Sequence, residues 1–286
     1  MILVTGPTGT VGRLVLEQLP AHCTVRALAR DPSRMSVARA GLETVRGNYG
    51  DPAGLRRALT GVRRALLVTS RVAGDDDAAF LDAAREAGVQ HVVKLSAAAV
   101  TDTGAQDAIT RWQRACESAL TSSPLDWTLL RPRSFMSNAL SWAPSVRGEN
   151  LVRALYGHSP NACVDPRDIA EVAVRALTED GHTGRAYTLT GPHPLTAAQQ
   201  TRQLAEALGR PLRFEELTPQ QAREALLRRH PETVAQALLD SALRQRAGAK
   251  AQVLDTVQTV TGRAPRPFRV WARDHAQSFG PEAAAP

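Results

Sequence analysis

The chain opens on the apolar run Ile2-Leu-Val-Thr5. Gly6-Pro-Thr-Gly9-Thr-Val-Gly12 follows, and then an amphipathic stretch over 11–19. A strand, a three-glycine turn and a helix in that order leave few folds open. Gly6 permits the tight turn, Gly9 lets a phosphate approach the backbone, and Gly12 lets helix and strand pack closely. The free N–H groups and dipole of the helix start favour the negative charge of a dinucleotide pyrophosphate. A bare glycine trio is weak evidence, but here the flanking strand and helix give it the context it requires. Thr5, Gly6, Thr8, Gly9, Thr10, Val11 and Gly12 are therefore candidate cofactor-binding residues.

Further along, short β-branched runs alternate with helical periodicity. Strands are expected over 2–5, 23–28, 42–46, 65–69, 91–96 and 127–131, with helices over 11–19, 54–59, 76–87 and 106–120 between them. This rhythm implies an α/β fold, a doubly wound parallel sheet of the Rossmann type whose ligand lies at the strand carboxyl ends. Beyond 131 the stretch 132–160 reads as loop-rich. A short strand (162–165), a helix (167–177), a strand (187–190) and a helix (197–208) are expected next. The stretch 217–261 reads as largely helical, 268–279 as a last helix and 280–286 as a frayed tail. The layout is a nucleotide-binding body over 1–131, partly completed by 161–190, with a smaller, mixed, helix-rich substrate lobe over 132–286.

Cofactor choice is read at the end of the second strand, Ala29-Arg30-Asp31-Pro32-Ser33-Arg34. An NAD site usually puts an acid there to hold the ribose hydroxyls. Arg30 instead suits a 2′-phosphate, with Ser33 and Arg34 as helpers, because a guanidinium fork matches phosphate geometry. Asp31 is the competing acid, and its alternative role is to cap the following helix. The balance favours NADPH/NADP+.

Composition excludes several other classes. Cys23, Cys116 and Cys163 are too far apart for a metal cluster or a disulfide framework, and the seven histidines lack paired ligand spacing, so no metal is expected. A net charge of +7 arises from 35 Lys and Arg residues scattered among 28 acids, with no block suited to nucleic acid. No apolar run approaches the ~20 residues of a membrane span. The first residues read as a core strand and not as a signal peptide, so a cytoplasmic monomer or homodimer acting on a small molecule is expected.

Several stretches together resemble the NmrA-like branch of the atypical short-chain dehydrogenases/reductases. They are Val4–Gly12, Gly47-Asn-Tyr-Gly-Asp-Pro52, Asp126-Trp-Thr-Leu-Leu-Arg-Pro-Arg-Ser-Phe-Met-Ser-Asn138, Val164-Asp-Pro-Arg-Asp-Ile-Ala170 and Val260-Thr-Gly-Arg-Ala-Pro265. The resemblance runs over nearly the whole chain. It implies that Asn48 flanks the adenine, and that Thr69, Ser70 and Arg71 border the ribose and pyrophosphate. It further implies that Lys94 and Ser96 end a strand beside the nicotinamide, and that Pro132 to Phe135 cover the nicotinamide and begin the substrate pocket.

One departure bears on chemistry. The wider superfamily uses a Tyr-x-x-x-Lys pair, in which the lysine lowers the phenol pKa for proton transfer. Tyr49, Tyr156 and Tyr187 are followed four residues later by Ala53, Pro160 and Gly191. Ile109 and Gln113 fall near the pair's place. Ser96 is then the candidate hydrogen-bond donor to a substrate oxygen, and Lys94, on the same face by strand alternation, a candidate proton donor. A substrate carrying its own phenol beside a ketone offers another way to stabilise the oxyanion. Phe135, Met136, Asn138, Trp142 and Tyr156 are candidate substrate contacts. Asp168 reads as a junction residue between the lobes. The expected activity is NADPH-dependent reduction of a carbonyl on a bulky aromatic molecule, as in the tailoring ketoreductases of aromatic polyketides. A non-catalytic NADP(H) sensor and a quinone reductase are the alternatives.

Overall fold

The computed structural model describes residues 1–280; of the expected tail, 281–286 lie outside the described residues. Seven parallel strands form the central sheet. They are β1 (Ile2–Thr5), β2 (Val25–Ala29), β3 (Leu42–Arg46), β4 (Arg64–Leu67), β5 (His91–Leu95), β6 (Asp126–Pro132) and β8 (Arg185–Leu189). The order is β3-β2-β1-β4-β5-β6-β8, so direction along the sheet reverses between β1 and β4, beside the glycine turn.

Both faces of the sheet are covered, which explains why its central strands are apolar on both sides. On one face, Val4, Ala27, Leu66, Val93 and Leu130 pack against α1 (Thr10–Gln18) and α6 (Pro166–Thr178). On the other, Leu3, Leu28, Leu67, Val92 and Leu129 pack against α2 (Pro52–Leu59), α3 (Asp76–Glu86) and α4 (Ala108–Thr121). Aspartates begin three of these helices: Asp51, Asp107 and Asp165 accept from the N–H groups of Gly54, Thr110 and Arg167 at 2.9, 2.9 and 2.8 Å. Each such cap contributes about 1 kcal/mol.

The smaller lobe differs from expectation in three places. The stretch expected to be loop-rich holds a 3-10 segment (Met136–Trp142), α5 (Ala143–Glu149) and β7 (Leu151–Leu155). β7 pairs in parallel with β9 (Arg213–Leu217), a strand that the helical reading of the C-terminal region had not included. The strand expected over 162–165 is only a bridge between Val164 and Phe135, because Asp165 already caps α6. α7 (Ala197–Leu208), α8 (Pro219–Leu227), α9 (Glu232–Arg246), α10 (Thr256–Thr261) and α11 (Phe268–Asp274) complete the chain. The lobe has its own core around Met136, Val146, Val152, Leu204, Phe268 and Trp271.

Polar contacts join lobe to body. Asp168 accepts from the Arg266 N–H at 2.8 Å and also pairs with the Arg266 guanidinium. Burial holds the Asp168 carboxyl above its usual range. Arg167 reaches Asp274 at 2.6 Å. From the other side, Arg244 on α9 grips Asp102 through two hydrogen bonds of 2.9 and 2.6 Å. This pins α9 over the carboxyl ends of β5 and β6.

Candidate active site

The glycine turn has the geometry that a bound dinucleotide requires. Gly6 has φ +61°, and a Cβ on Gly12 would stand 2.2 Å from the Gly6 carbonyl oxygen. Gly9 occupies the N-cap of α1 with no side-chain hydrogen bond, so the first N–H groups of that helix face outward unpaired by a cap. Thr8, Gly9 and Thr10 are exposed, while Val11 and Gly12 are buried against the sheet. At the end of β2, Arg30 is exposed, and neither it nor Arg34 has an ion-pair partner among the described residues. Asp31 is engaged by the backbone N–H and hydroxyl of Ser33 at 3.1 and 2.7 Å, which hold its carboxyl below the usual range. The acid therefore caps the 3-10 turn Pro32–Arg34, and Arg30 and Arg34 are left as unpaired charges at this rim. These features fit an anionic dinucleotide with a 2′-phosphate.

Other sequence-derived candidates take supporting positions. The Thr5 hydroxyl donates to the Leu66 carbonyl at 3.0 Å and accepts from Val68 N–H at 2.8 Å, so it ties β1 to β4 and does not face a ligand. Thr69 donates to Asp77 at 2.7 Å and is likewise buried. Asn48 accepts from Gly50 N–H at 2.8 Å at an exposed turn. Ser70 is exposed just past β4, and Arg71 pairs with Asp76 at 2.5 Å.

Past the carboxyl ends of β5 and β6 lies a cavity of about 330 Å³. Its floor is formed by Ser96 to Ala99 and Pro132 to Phe135, one wall by Ile109 and Thr110 of α4, and its roof by α9 and the turn to Lys250. Ile109 and Gln113 occupy successive turns of α4, and only Ile109 lines the cavity.

Lys94, the candidate proton donor, and Ser96, the candidate hydrogen-bond donor, are both engaged elsewhere. The Lys94 ammonium is fully buried, 2.5 Å from Asp77 Oδ1 and 3.3 Å from Thr69 Oγ1. It shares a face with Ser96 but points between β5 and α3, away from the cavity that Ser96 lines. The Ser96 hydroxyl donates to Glu117 Oε1 at 2.5 Å, and Arg131 grips the same carboxylate at 2.9 and 2.6 Å. In this arrangement the serine proton is committed to a carboxylate and is not available to a substrate oxygen.

Of the candidate substrate contacts, Phe135 and Asn138 line the cavity. Met136 is buried in the lobe core, with Trp142 packed at its edge. Tyr156 has φ +50° and stacks beneath Arg246 at 5.0 Å, remote from the cavity. The aromatic side chains at 142 and 156 had looked like walls because local sequence cannot say which side of the lobe they face. Arg133, within the expected stretch Pro132 to Phe135, lines the cavity, as do Ser241, Arg244 and Lys250, which were not picked out. One signal in the sequence does point at Lys250: Lys94 and Lys250 are the only lysines among the 35 Lys and Arg residues.

Comparison with known proteins agrees with this geometry. The family described as NAD(P)H-binding matches residues 6–180. The chain is 56% identical over 282 residues, 99% of its own length and 100% of the relative's, to the (4-alkanoyl-5-oxo-2,5-dihydrofuran-3-yl)methyl phosphate reductase of Streptomyces griseus. It is 37% identical over 286 residues, 98% and 99% of the two chains, to the NAD(P)H azoreductase of Xenophilus azovorans. The crystal structure of an NADPH-dependent quinone oxidoreductase of Escherichia coli with NADPH bound is similar at a TM-score of 0.83 and 27% identity, covering 96% of this chain and 99% of that one. The glycine turn, an unpaired arginine at the end of β2 and relatives of full length lead to one assignment. The chain is an NADPH-dependent oxidoreductase that belongs to the NAD(P)H-binding family, in its NmrA-like atypical short-chain dehydrogenase/reductase branch.

Proposed function

We propose that the chain reduces electron-poor conjugated acceptors whose hydride adduct carries its negative charge within the substrate, and that a phosphorylated acyl-furanone is the foremost of them. The observation that carries this reading is a cavity lined by no phenol, with Ile109 on its α4 wall and the Ser96 hydroxyl donated to Glu117.

Bound NADPH supplies a hydride. In an alkanoyl-furanone, the ring carbon bearing the methyl phosphate is conjugated with both the lactone and the alkanoyl carbonyl. Hydride addition there moves the electron pair onto the neighbouring ring carbon, where both carbonyls delocalise it, and water protonates that carbon afterwards. Such an anion needs far less help from the protein than a simple alkoxide, so the absence of a Tyr-x-x-x-Lys pair costs little. The protein's part is to orient the ring and exclude bulk water. Phe135, Ile109, Ala98, Ala105 and Leu238 give an apolar slot for the ring and its alkanoyl chain. Azo compounds and quinones, the acceptors named for two of the relatives, obey the same electronic rule.

A polycyclic aromatic ketone with an adjacent phenol satisfies the rule too, and is the second reading; the apolar slot favours it, while the similarity over the full chain favours the furanone. The test follows the absorbance of reduced cofactor with three acceptors: an alkanoyl-furanone methyl phosphate, a simple quinone and a phenolic polycyclic ketone. Furanone turnover with the highest kcat/KM is expected. Fast ketone reduction without furanone turnover would overturn the proposal in favour of the polyketide reading, and quinone turnover alone would make the protein a quinone reductase.

A further inference from the structure

Two cations in the cavity have no counter-ion. Arg133 follows β6 directly, and Lys250 follows α9 and the turn at Gly248. Neither has a carboxylate within ion-pair distance among the described residues. The nearby acids are already engaged: Asp102 is held by Arg244, and Asp107 accepts from the N–H and hydroxyl of Thr110 at 2.9 and 2.6 Å. Arg133 makes one side-chain hydrogen bond, from Nη1 to the Ala249 carbonyl at 3.1 Å, and its Nε is buried with no partner. Lys250 donates one of its three protons to Ser241 Oγ at 2.7 Å.

Burial pushes the Lys250 ammonium down to about 8, and Arg133 contributes to the same shift by repulsion. The Arg133 guanidinium is lowered by burial as well. Two like charges, half-buried and facing one cavity, are a costly arrangement for an empty site. A doubly charged anion between them would remove the cost and use the idle donors. Arg131, Arg167, Arg244, Arg263 and Arg266, by contrast, each grip a carboxylate.

We infer that Arg133 and Lys250, assisted by Ser241, form a phosphomonoester subsite that anchors the substrate at the wall of the cavity opposite the apolar slot. The inference rests on the proposed furanone reductase activity for the identity of the phosphate's owner, but the subsite itself is read from the two unpaired cations. It makes the phosphate a handle for orientation: with the charged end fixed, the adjacent ring carbon is the one turned toward the cofactor. Arg133 fits a planar two-oxygen contact, and Lys250 acts as a point charge on the remaining oxygen.

The experiment compares the alkanoyl-furanone methyl phosphate with its dephosphorylated alcohol on the NADPH-loaded protein and on the Arg133→Met and Lys250→Met variants. Wild type is expected to prefer the phosphate ester, and each variant to lose about 10–100-fold more kcat/KM on the ester than on the alcohol. The charge-conserving Arg133→Lys and Lys250→Arg should restore part of the difference. Equal losses on both substrates, or no wild-type preference, would overturn the subsite while leaving furanone reduction standing. A second measurement does not need turnover: calorimetric binding of benzyl phosphate and benzyl alcohol to the NADP+-loaded protein. Binding of the phosphate alone, weakened in both variants, supports the subsite even if the furanone is not a substrate; no binding, or binding that both variants retain, rejects it.

Discussion

Lys94 Nζ and Asp77 Oδ1 lie 2.5 Å apart with both side chains almost wholly excluded from solvent, joining β5 to α3 beneath the strand ends. A buried pair of this kind is costly to break from one side, because the surviving charge has no water to turn to. Lys94→Met is expected to lower stability by about 3–5 kcal/mol, and Lys94→Met/Asp77→Leu to recover most of it. Chemical denaturation of the three proteins checks this. Turnover per folded molecule should stay within about threefold in the single variant; an inactive but fully stable Lys94→Met would restore the lysine as a proton donor.

The Ser96–Glu117–Arg131 chain makes a complementary prediction. Ser96→Ala removes one hydrogen bond to a carboxylate that Arg131 still neutralises, so the loss should be about 1 kcal/mol of stability, with kcat changed less than threefold. A hundredfold fall in kcat at unchanged thermal midpoint would identify the serine as a donor to substrate.

Arg30 is exposed at the end of β2 without a partner, so its removal should be felt only through the cofactor. Arg30→Ala is expected to raise the KM for NADPH by about 10–100-fold, as the loss of a charge-assisted contact implies. The KM for NADH should barely move. Steady-state kinetics with both cofactors decides it.

Gly12→Ala tests the turn itself. The new methyl would meet the Gly6 carbonyl at 2.2 Å, and backbone on both sides leaves no flexible atom to yield. Overpacking of this sort costs roughly 1–3 kcal/mol. The rise in thermal midpoint that NADPH gives to the wild type should vanish in the variant.

Lys250 should leave a trace in the pH dependence of stability. Its ammonium titrates near 8 in the fold, against a reference value of 10.5. Between those values the folded state binds fewer protons than the unfolded chain, so the lysine's contribution makes stability rise with pH across that window. Below pH 8 the burial penalty is fully present. Lys250→Met should therefore be more stable than wild type at pH 7, and the gap should narrow by pH 10, as read from urea midpoints.

The nucleotide-binding half was legible in the sequence because its signals are local. The turn at Gly6 and the apolar runs of β1 and β5 each announce themselves within a few residues. The pair β7 and β9 was not, since Leu151-Val-Arg-Ala-Leu155 and Arg213-Phe-Glu-Glu-Leu217 carry no turn signals and find each other across more than fifty residues of chain. The cavity's cations were hidden for the same reason. Arg133 and Lys250 are far apart in sequence, and nothing near either shows that the other faces it. Ser96 lines the cavity, but its partner Glu117 lies on a different element, and that partner decides where the serine proton goes.

The route of the chain through the sheet limits how this protein can be taken apart. β8 pairs along β6, and α6 packs on α1, after the chain has already built β7 in the smaller lobe. Cutting after 131 would strip β6 of its neighbour and α1 of its cover, leaving a bare parallel edge suited to self-association. The smaller lobe is therefore not a cassette that could be exchanged for another by a single crossover.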